Sequence, residues 1–346
     1  MKLVADFHIH SRFARATSKE MTLPNLDFWA QKKGIHVMGT GDFTHPLWIQ
    51  ELKAELEPAE EGLYKRKGGG KTRFVFSSEI SCIYSKGGQV RKVHLILIVP
   101  SLEAVEKINT QLSWIGNLKS DGRPILGLDA KEAARLVLEA DPSSLVVPAH
   151  AWTPWFAVFG SKSGFNSLKE CFDEYTKYIY AVETGLSSDP QMNWRLSQLD
   201  NITLLSNSDS HSLEKIGREV NVFDTEISYG GILDAIKTKD PSKFLYTVEF
   251  FPEEGKYHYD GHRLCNVSLA PKESKEKNNI CPVCNKPLTI GVLNRVEELA
   301  DRPEGVKPDN AIPFKSLIPL VEIIADSLGV VGTGTKQVKE QYEILL

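Results

Sequence analysis

Leu3-Val4-Ala5-Asp6-Phe7-His8-Ile9-His10 is the stretch from which the rest of the chain is read. Its apolar opening is a strand, and because successive strand side chains point to opposite sides, Asp6, His8 and His10 share one face. Two imidazoles placed this way can reach one ion. Surface histidines on a polar strand would show the same spacing, but this strand is apolar. We take it as the first strand of an α/β domain, ending in a metal-binding motif.

Outward from it, short β-rich runs alternate with helical patterns up to about residue 250. Further strands are expected at Ile35 to Met38, Phe74 to Phe76, Val93 to Val99, Leu145 to Val147, Tyr178 to Val182 and Ile202 to Leu205. Helices are expected at Pro24 to Lys33, Leu102 to Trp114, Ala130 to Glu139 and Pro190 to Leu199. Seven strands with crossover helices predict an α/β fold of the distorted (β/α)7, TIM-like barrel kind, and such barrels assemble sites at strand carboxyl ends. Those ends carry Asp42 and His45, Glu79, His94, His150, and Asp209 with His211.

Nitrogen and oxygen donors together suit zinc, manganese or iron. A carboxylate shared between two ions makes a polynuclear site, which activates water and clamps the attacking and leaving oxygens of a phosphoryl group. Hydrolysis of a phosphate ester is the expected chemistry. The expected metal ligands are His8, His10, Asp42, His45, Glu79, His94, His150, Asp209 and His211, with Asp42, Glu79, Asp209 and His211 in catalytic roles. Two or three divalent cations (zinc, manganese or magnesium) would be held.

Past Phe251 the texture turns polar and Cys-bearing. His262-Arg263-Leu264-Cys265, fifteen residues, then Cys281-Pro282-Val283-Cys284 has the spacing of a tetrahedral structural zinc site, with His258 competing as fourth ligand. A metal would stabilise a segment too polar for a core of its own. A deaminase zinc is excluded, since no His-x-Glu precedes Pro-Cys-x-x-Cys. A P-loop is excluded too, because Lys65 stands where the motif needs glycine. The expected organisation is a phosphoesterase domain at 1–250, a zinc module at 251–300 and a helical segment at 301–346. Cys82 and Cys171 are assigned to packing.

A net charge of −4 means that DNA binding would rest on local basic patches. Lys71 and Arg91 are expected at phosphates, or else on a solvated charged face. The aromatic run after His150, with Trp152, Trp155, Phe156 and then Lys162, either stacks on bases or forms a hydrophobic lid. The longest apolar run, Val93 to Val99, falls far short of the roughly 20 residues a membrane span needs. Asp6 and His8 stand where a signal peptide would be apolar, so a cytoplasmic location and no membrane partner are expected.

The His-x-His opening, Thr40-Gly41-Asp42, Glu79, His94, His150 and Asp209-x-His211 together resemble the motif set of the polymerase and histidinol phosphatase (PHP) superfamily. The resemblance implies one ion on His8, His10, Glu79 and Asp209, a second on Glu79, His94 and His150, and a third served by His211. It departs at Gly41-Asp42-Phe43, where Thr-Asp-His is usual and His45 is the expected substitute, and it lacks the additional histidine between Arg12 and Thr17. With the late Cys module and Gly291 to Arg302, nearly the whole chain resembles the endonuclease Q family. That implies a DNA-repair endonuclease that flips out a deaminated base (uracil, hypoxanthine, xanthine) or an abasic site and nicks on its 5′ side. Members of that family continue beyond the position of Leu346, which implies an absent carboxyl-terminal tail and, through it, a sliding clamp as a further partner. The alternatives are a PHP-type phosphatase of a small monoester, whose module serves oligomerisation, and a non-catalytic DNA-binding module.

Overall fold

The computed structural model describes residues 1–346. All seven expected strands form: β1 Lys2–Asp6, β2 Val37–Gly39, β3 Arg73–Lys86, β4 Gln89–Val99, β5 Leu145–Pro148, β6 Ala181–Glu183 and β7 Thr203–Leu205. Their pairing is mixed. β1, β2 and β3 run parallel, whereas β3 with β4 and β4 with β5 are antiparallel.

The expected distorted (β/α)7 barrel is therefore not confirmed, and the cause of the antiparallel pairing is local. Only Gly87-Gly88 joins β3 to β4, both at positive φ, and two residues make a hairpin where a parallel crossover needs a dozen or more. The ladders also do not close. β6 and β7 form a separate parallel pair, joined to the rest by single hydrogen bonds such as Ala151 N to Glu183 O (2.9 Å) and His10 N to Ser210 O (2.9 Å). The result is a mixed α/β fold around a central sheet, extended beyond β1 by antiparallel β8 (Val220–Asp224) and β9 (Phe244–Glu249).

Helices cover the outer face. α1 (Leu23–Lys32), α3 (Leu102–Ser113) and α4 (Ala130–Ala140) lie close to expectation, and α2 (Pro46–Glu55) is a further helix that the sequence reading did not include. Asp129 caps α4 by accepting from Lys131 N, and Ser101 caps α3 by accepting from Ala104 N. The expected Pro190 to Leu199 helix stops at Trp194. α5 (Tyr229–Thr238) closes this part of the chain. No helix is long and apolar enough to cross a membrane.

Strand residues alternate between two cores. Val75, Ile96, Ile98 and Val147 belong to an inner cluster of 20 buried residues; Phe74, Phe76, Leu95, Leu97 and Val146 belong to an outer cluster of 52 beneath the helices. Glu79 and His94 share the parity of the inner set, so they ride at the end of the inner core, which positions the site.

The Cys-bearing segment folds as a hairpin, β10 (Asp260–His262) with β11 (Val267–Leu269), followed by α6 (Val292–Leu299). Buried Asp260 accepts from Gly291 N and Asn294 Nδ2, each at 2.6 Å, and from Ser274 Oγ. Val292 and Val296 join the outer core, so the module is packed on the sheet domain rather than tethered to it. The last segment is not only helical: β12 (Phe314–Ser316) pairs parallel with β9. α7 (Leu320–Ser327) and α8 (Lys336–Leu345) then pack on each other and on Trp29 of α1.

Candidate metal centre

His8 and His10 follow β1, Glu79 lies within β3, His94 within β4, and His150 and Asp209 follow β5 and β7. His150 and Asp209 hold positive φ (29° and 44°), a conformation costly for side-chain-bearing residues and found mostly where function requires it. Gly185 makes the first possible: a Cβ there would stand 2.7 Å from the Cβ of His150.

Ligand atoms of His8, His10, Glu79 and Asp209 all lie within 4.8 Å of one another, as do those of Glu79, His94 and His150. Glu79 belongs to both groups. Its Oε1 is 2.7 Å from His94 Nδ1 and 3.1 Å from His150 Nε2, while its Oε2 is 3.2 Å from His10 Nε2 and 3.5 Å from His8 Nε2. His8 Nε2, His10 Nε2 and Asp209 Oδ1 are buried and hydrogen-bond to nothing. Buried polar atoms are otherwise paired almost without exception. Three orphaned donor atoms converging on one point fit a cation, and the mixed nitrogen and oxygen set fits a transition-series ion such as zinc, manganese or iron.

Carboxylates hold the imidazoles from behind. His8 Nδ1 is 3.0 Å from Glu183 Oε1, and Glu183 also accepts from His150 N (2.8 Å) and Asn207 Nδ2 (3.0 Å). His10 Nδ1 is 3.0 Å from Asp42 Oδ1, whose other oxygen accepts from Ser11 N at 2.6 Å. Burial lowers both imidazole pKa values, but Glu183, Asp209 and Glu79 around His8, and Asp42, Asp209 and Glu79 around His10, outweigh it and hold them well above the usual histidine range. Burial pulls His94 down to about 4, against Glu79, so it is neutral and free to ligate. Burial would raise Glu79, yet His94, Arg123 and His8 hold it well below the usual carboxylate range.

Partners of this kind fix the tautomer and orientation of a ligand, so Glu183→Ala is expected to weaken metal binding roughly 10- to 100-fold. A competition titration against a chromophoric chelator measures this; unchanged affinity would remove Glu183 from the centre.

Other expected residues are placed differently. Asp42 backs His10 and lies outside both groups. His45 precedes α2, its ring stacked on Phe13 at 4.5 Å. The His211 ring lies tilted against His10 at 4.4 Å, and its Nδ1 donates to Asp209 O (3.0 Å), leaving Nε2 free as an acceptor. Asp6 does not join the histidines: it accepts from Ser208 N and Gly217 N. His262, Cys265, Cys281 and Cys284 come together as a third group, whereas His258 bonds Ser187 O.

The aromatic run divides. Trp152 is buried on Phe159 with its indole N–H on Asn193 Oδ1 (2.8 Å), so it belongs to the core. Trp155 is 39% exposed and meets Tyr257 edge-on, and Phe156 packs on His94 at 4.6 Å. These last two line a cavity of about 650 Å³ whose floor is His94, His150 and Asp209 and whose far wall is Gly255 to Tyr257. Arg91 is engaged with Gly164 O and the Phe165 ring, whereas Lys71 and Lys162 are exposed.

Sequence reasoning missed Glu183, Arg123 and Arg218. Glu183 directly follows an expected strand, the signal used for the other ligands, and could have been found. It also missed Arg295, which is buried and donates to Phe159 O (3.0 Å), Phe165 O (3.2 Å) and Asn166 Oδ1 (2.7 Å), so α6 holds the aromatic loop in place.

One buried acid pair flanks the site. Glu249 accepts from Thr184 Oγ1 (2.8 Å) and Thr247 Oγ1 (2.5 Å), and Glu219 accepts from Phe250 N (3.0 Å). Burial pushes Glu249 from 4.5 up to about 7, and burial plus the charge of Glu249 holds Glu219 well above the usual range. A raised carboxyl contributes stability in its protonated form, fully present below about 4.5 and lost as pH rises through about 7. Glu249→Gln is therefore expected to be more stable than the parent at alkaline pH, by on the order of 1 to 3 kcal/mol, with the gain vanishing in acid. Urea unfolding at both pH values tests it; an equal gain at both would contradict it.

No family model matches the chain. The uncharacterized protein YqxK of Bacillus subtilis (strain 168) is 31% identical over 321 residues, covering 88% of this chain and 78% of the relative. The crystal structure of the lesion-specific endonuclease PfuEndoQ from Pyrococcus furiosus superposes at TM-score 0.86 and 33% identity, over 100% of this chain and 82% of that one. Endonuclease Q in complex with a 27-mer duplex carrying an abasic lesion at the active site gives TM-score 0.86 and 34% identity, over 98% and 82%. The sliding clamp finds no support among these relatives.

Proposed function

This chain belongs to the endonuclease Q family, and from that premise we propose that it is a metal-dependent endonuclease that nicks DNA on the 5′ side of deaminated bases (uracil, hypoxanthine, xanthine) and of abasic sites. The observation that carries this is buried Glu79, shared by two ligand groups whose His94, His150 and Asp209 line an open cavity walled on its far side by Gly255 to Tyr257.

Bound there, two divalent ions would lower the pKa of a water molecule and neutralise charge on the phosphoryl oxygens. His8, His10, Glu79 and Asp209 would hold one, and Glu79, His94 and His150 the other. Glu183 and Asp42 orient the imidazoles of His8 and His10. His211, with Nε2 free, lies beside His10 and Asp209, where it would take or return a proton.

Uracil and hypoxanthine present the same edge, a carbonyl beside a ring N–H, so one donor next to one acceptor reads both once the nucleotide leaves the stack. The cavity is within the size range of ligand sites, and Trp155, Phe156 and Tyr257 offer faces on which bases can stack. His262, Cys265, Cys281 and Cys284 would hold one structural zinc ion that keeps the module's wall in place. Exposed Lys71 and Lys162 are assigned to phosphates.

Equilibrium binding in a chelator, which separates recognition from cutting, tests the specificity. Duplexes with uracil, hypoxanthine or an abasic site should bind at least roughly tenfold tighter than undamaged duplex. Equal affinity for all four would refute lesion recognition.

A further inference from the structure

We propose that Arg123 is a catalytic phosphate-binding residue, its guanidinium gripping a non-bridging oxygen of the reacting phosphoryl group. The inference rests on the phosphoesterase reading of the centre.

Arg123 sits in the loop between α3 and Ile125, where its backbone N–H on Asp121 Oδ1 (3.2 Å) fixes the chain. Its side chain makes one hydrogen bond, Nη1 to Glu79 Oε2 at 3.0 Å, and lines the cavity with His94, His150 and Asp209. Of the other arginines around the site, Arg91 is taken up by Gly164 O and the Phe165 ring and Arg295 by three oxygens, while Arg218, which also lines the cavity, is turned to the backbone carbonyls of Ser208 and Asp209 rather than to a metal-ligating carboxylate. A guanidinium has five N–H donors in a rigid fork, so Arg123 keeps most of its donors for something in the cavity.

Charge points the same way. With divalent ions on Glu79 and Asp209 those carboxylates need no further counter-ion, and a half-buried guanidinium beside them is costly until an anion arrives. A phosphodiester is that anion. When water attacks, its oxygen bonds to phosphorus and its proton leaves, while the bond from phosphorus to one sugar oxygen breaks and that oxygen takes up a proton. In between, the phosphoryl oxygens carry more negative charge than the diester, which is when a fixed cation acts most strongly.

The test compares wild-type, Arg123→Ala and Arg123→Lys proteins after metal content and thermal stability have been matched. Single-turnover nicking of an abasic duplex should fall roughly 10²- to 10³-fold in Arg123→Ala, with partial restoration by added guanidinium ion. Arg123→Lys, which keeps the charge without the fork, should fall less and bind metal normally. Inorganic phosphate should bind several-fold more weakly to Arg123→Ala. A nicking rate within about threefold of wild type, or a loss that tracks lost metal and ignores guanidinium, would make Arg123 a counter-ion to Glu79 and overturn the proposal. Should wild-type protein leave lesion DNA whole, the endonuclease reading fails, and the phosphate titration still decides: equal affinity in wild type and variant overturns the clamp. If Arg123→Ala does not fold, Arg123→Lys carries the same comparisons.

Discussion

Glu79→Gln protein is expected to lose nicking by roughly 10³-fold or more and to retain less metal than the parent. Both oxygens of this carboxylate are in use: Oε1 faces His94 and His150, and Oε2 faces Arg123, His10 and His8. Glutamine keeps the shape but replaces one oxygen with an N–H donor, which then points at imidazoles and a guanidinium. One substitution thus damages both ligand groups, which no change at His94 or Asp209 alone would do. The measurements are metal per chain by elemental analysis and single-turnover nicking. A variant with full metal content and a rate within about tenfold of the parent would show that the shared carboxylate is not what joins the centre.

Cys281→Ser is expected to unfold the Cys module while the sheet domain stays folded. Cys281 is fully buried in a segment with few other buried apolar residues, and its stability would come from an ion whose binding is worth on the order of 10 kcal/mol. The consequence reaches the cavity. Arg295 holds Phe159 and Phe165, Ser161 Oγ bonds Ile290 O at 2.8 Å, and His258 bonds Ser187 O, so the aromatic loop and the wall beside Gly185 lose their support. Limited proteolysis should open between residues 251 and 300, and affinity for a lesion duplex should fall at least roughly tenfold while the centre on the sheet domain keeps its metal. Unchanged protease resistance and unchanged lesion binding would contradict the structural role given to the cluster.

Much of this was legible beforehand, and the reasons are specific. The seven strands were visible because each carries a run of β-branched or aromatic residues, and the Cys spacing was visible because tetrahedral coordination leaves little choice. The length of β3 was hidden: Ser77, Ser78, Glu79 and Ser81 interrupt the apolar pattern, Glu79 as a metal-group residue and Ser77 and Ser78 as partners of Gly41 N and Thr44 Oγ1. Antiparallel β3 and β4 could have been inferred from Gly87-Gly88, which is too short for any crossover.

Trp152 and Trp155 are three residues apart with opposite fates. Asn193, distant from the motif, takes the indole N–H of Trp152, and with Phe159 of the same run it decides that Trp152 is core. His45 follows Asp42 closely, yet Phe13 claims its ring, and Arg91 looked like a phosphate ligand but rests on Phe165. Such outcomes depend on packing partners far away in sequence, which local pattern does not carry.

The most direct test is a gel assay on end-labelled duplexes carrying one uracil or one abasic site, run beside undamaged duplex and a small phosphate monoester, in manganese or magnesium, with His8→Ala as control. A single nick on the 5′ side of each lesion, absent from undamaged DNA and abolished in His8→Ala, is the predicted result. Release of phosphate from the monoester with all DNA left whole would contradict it.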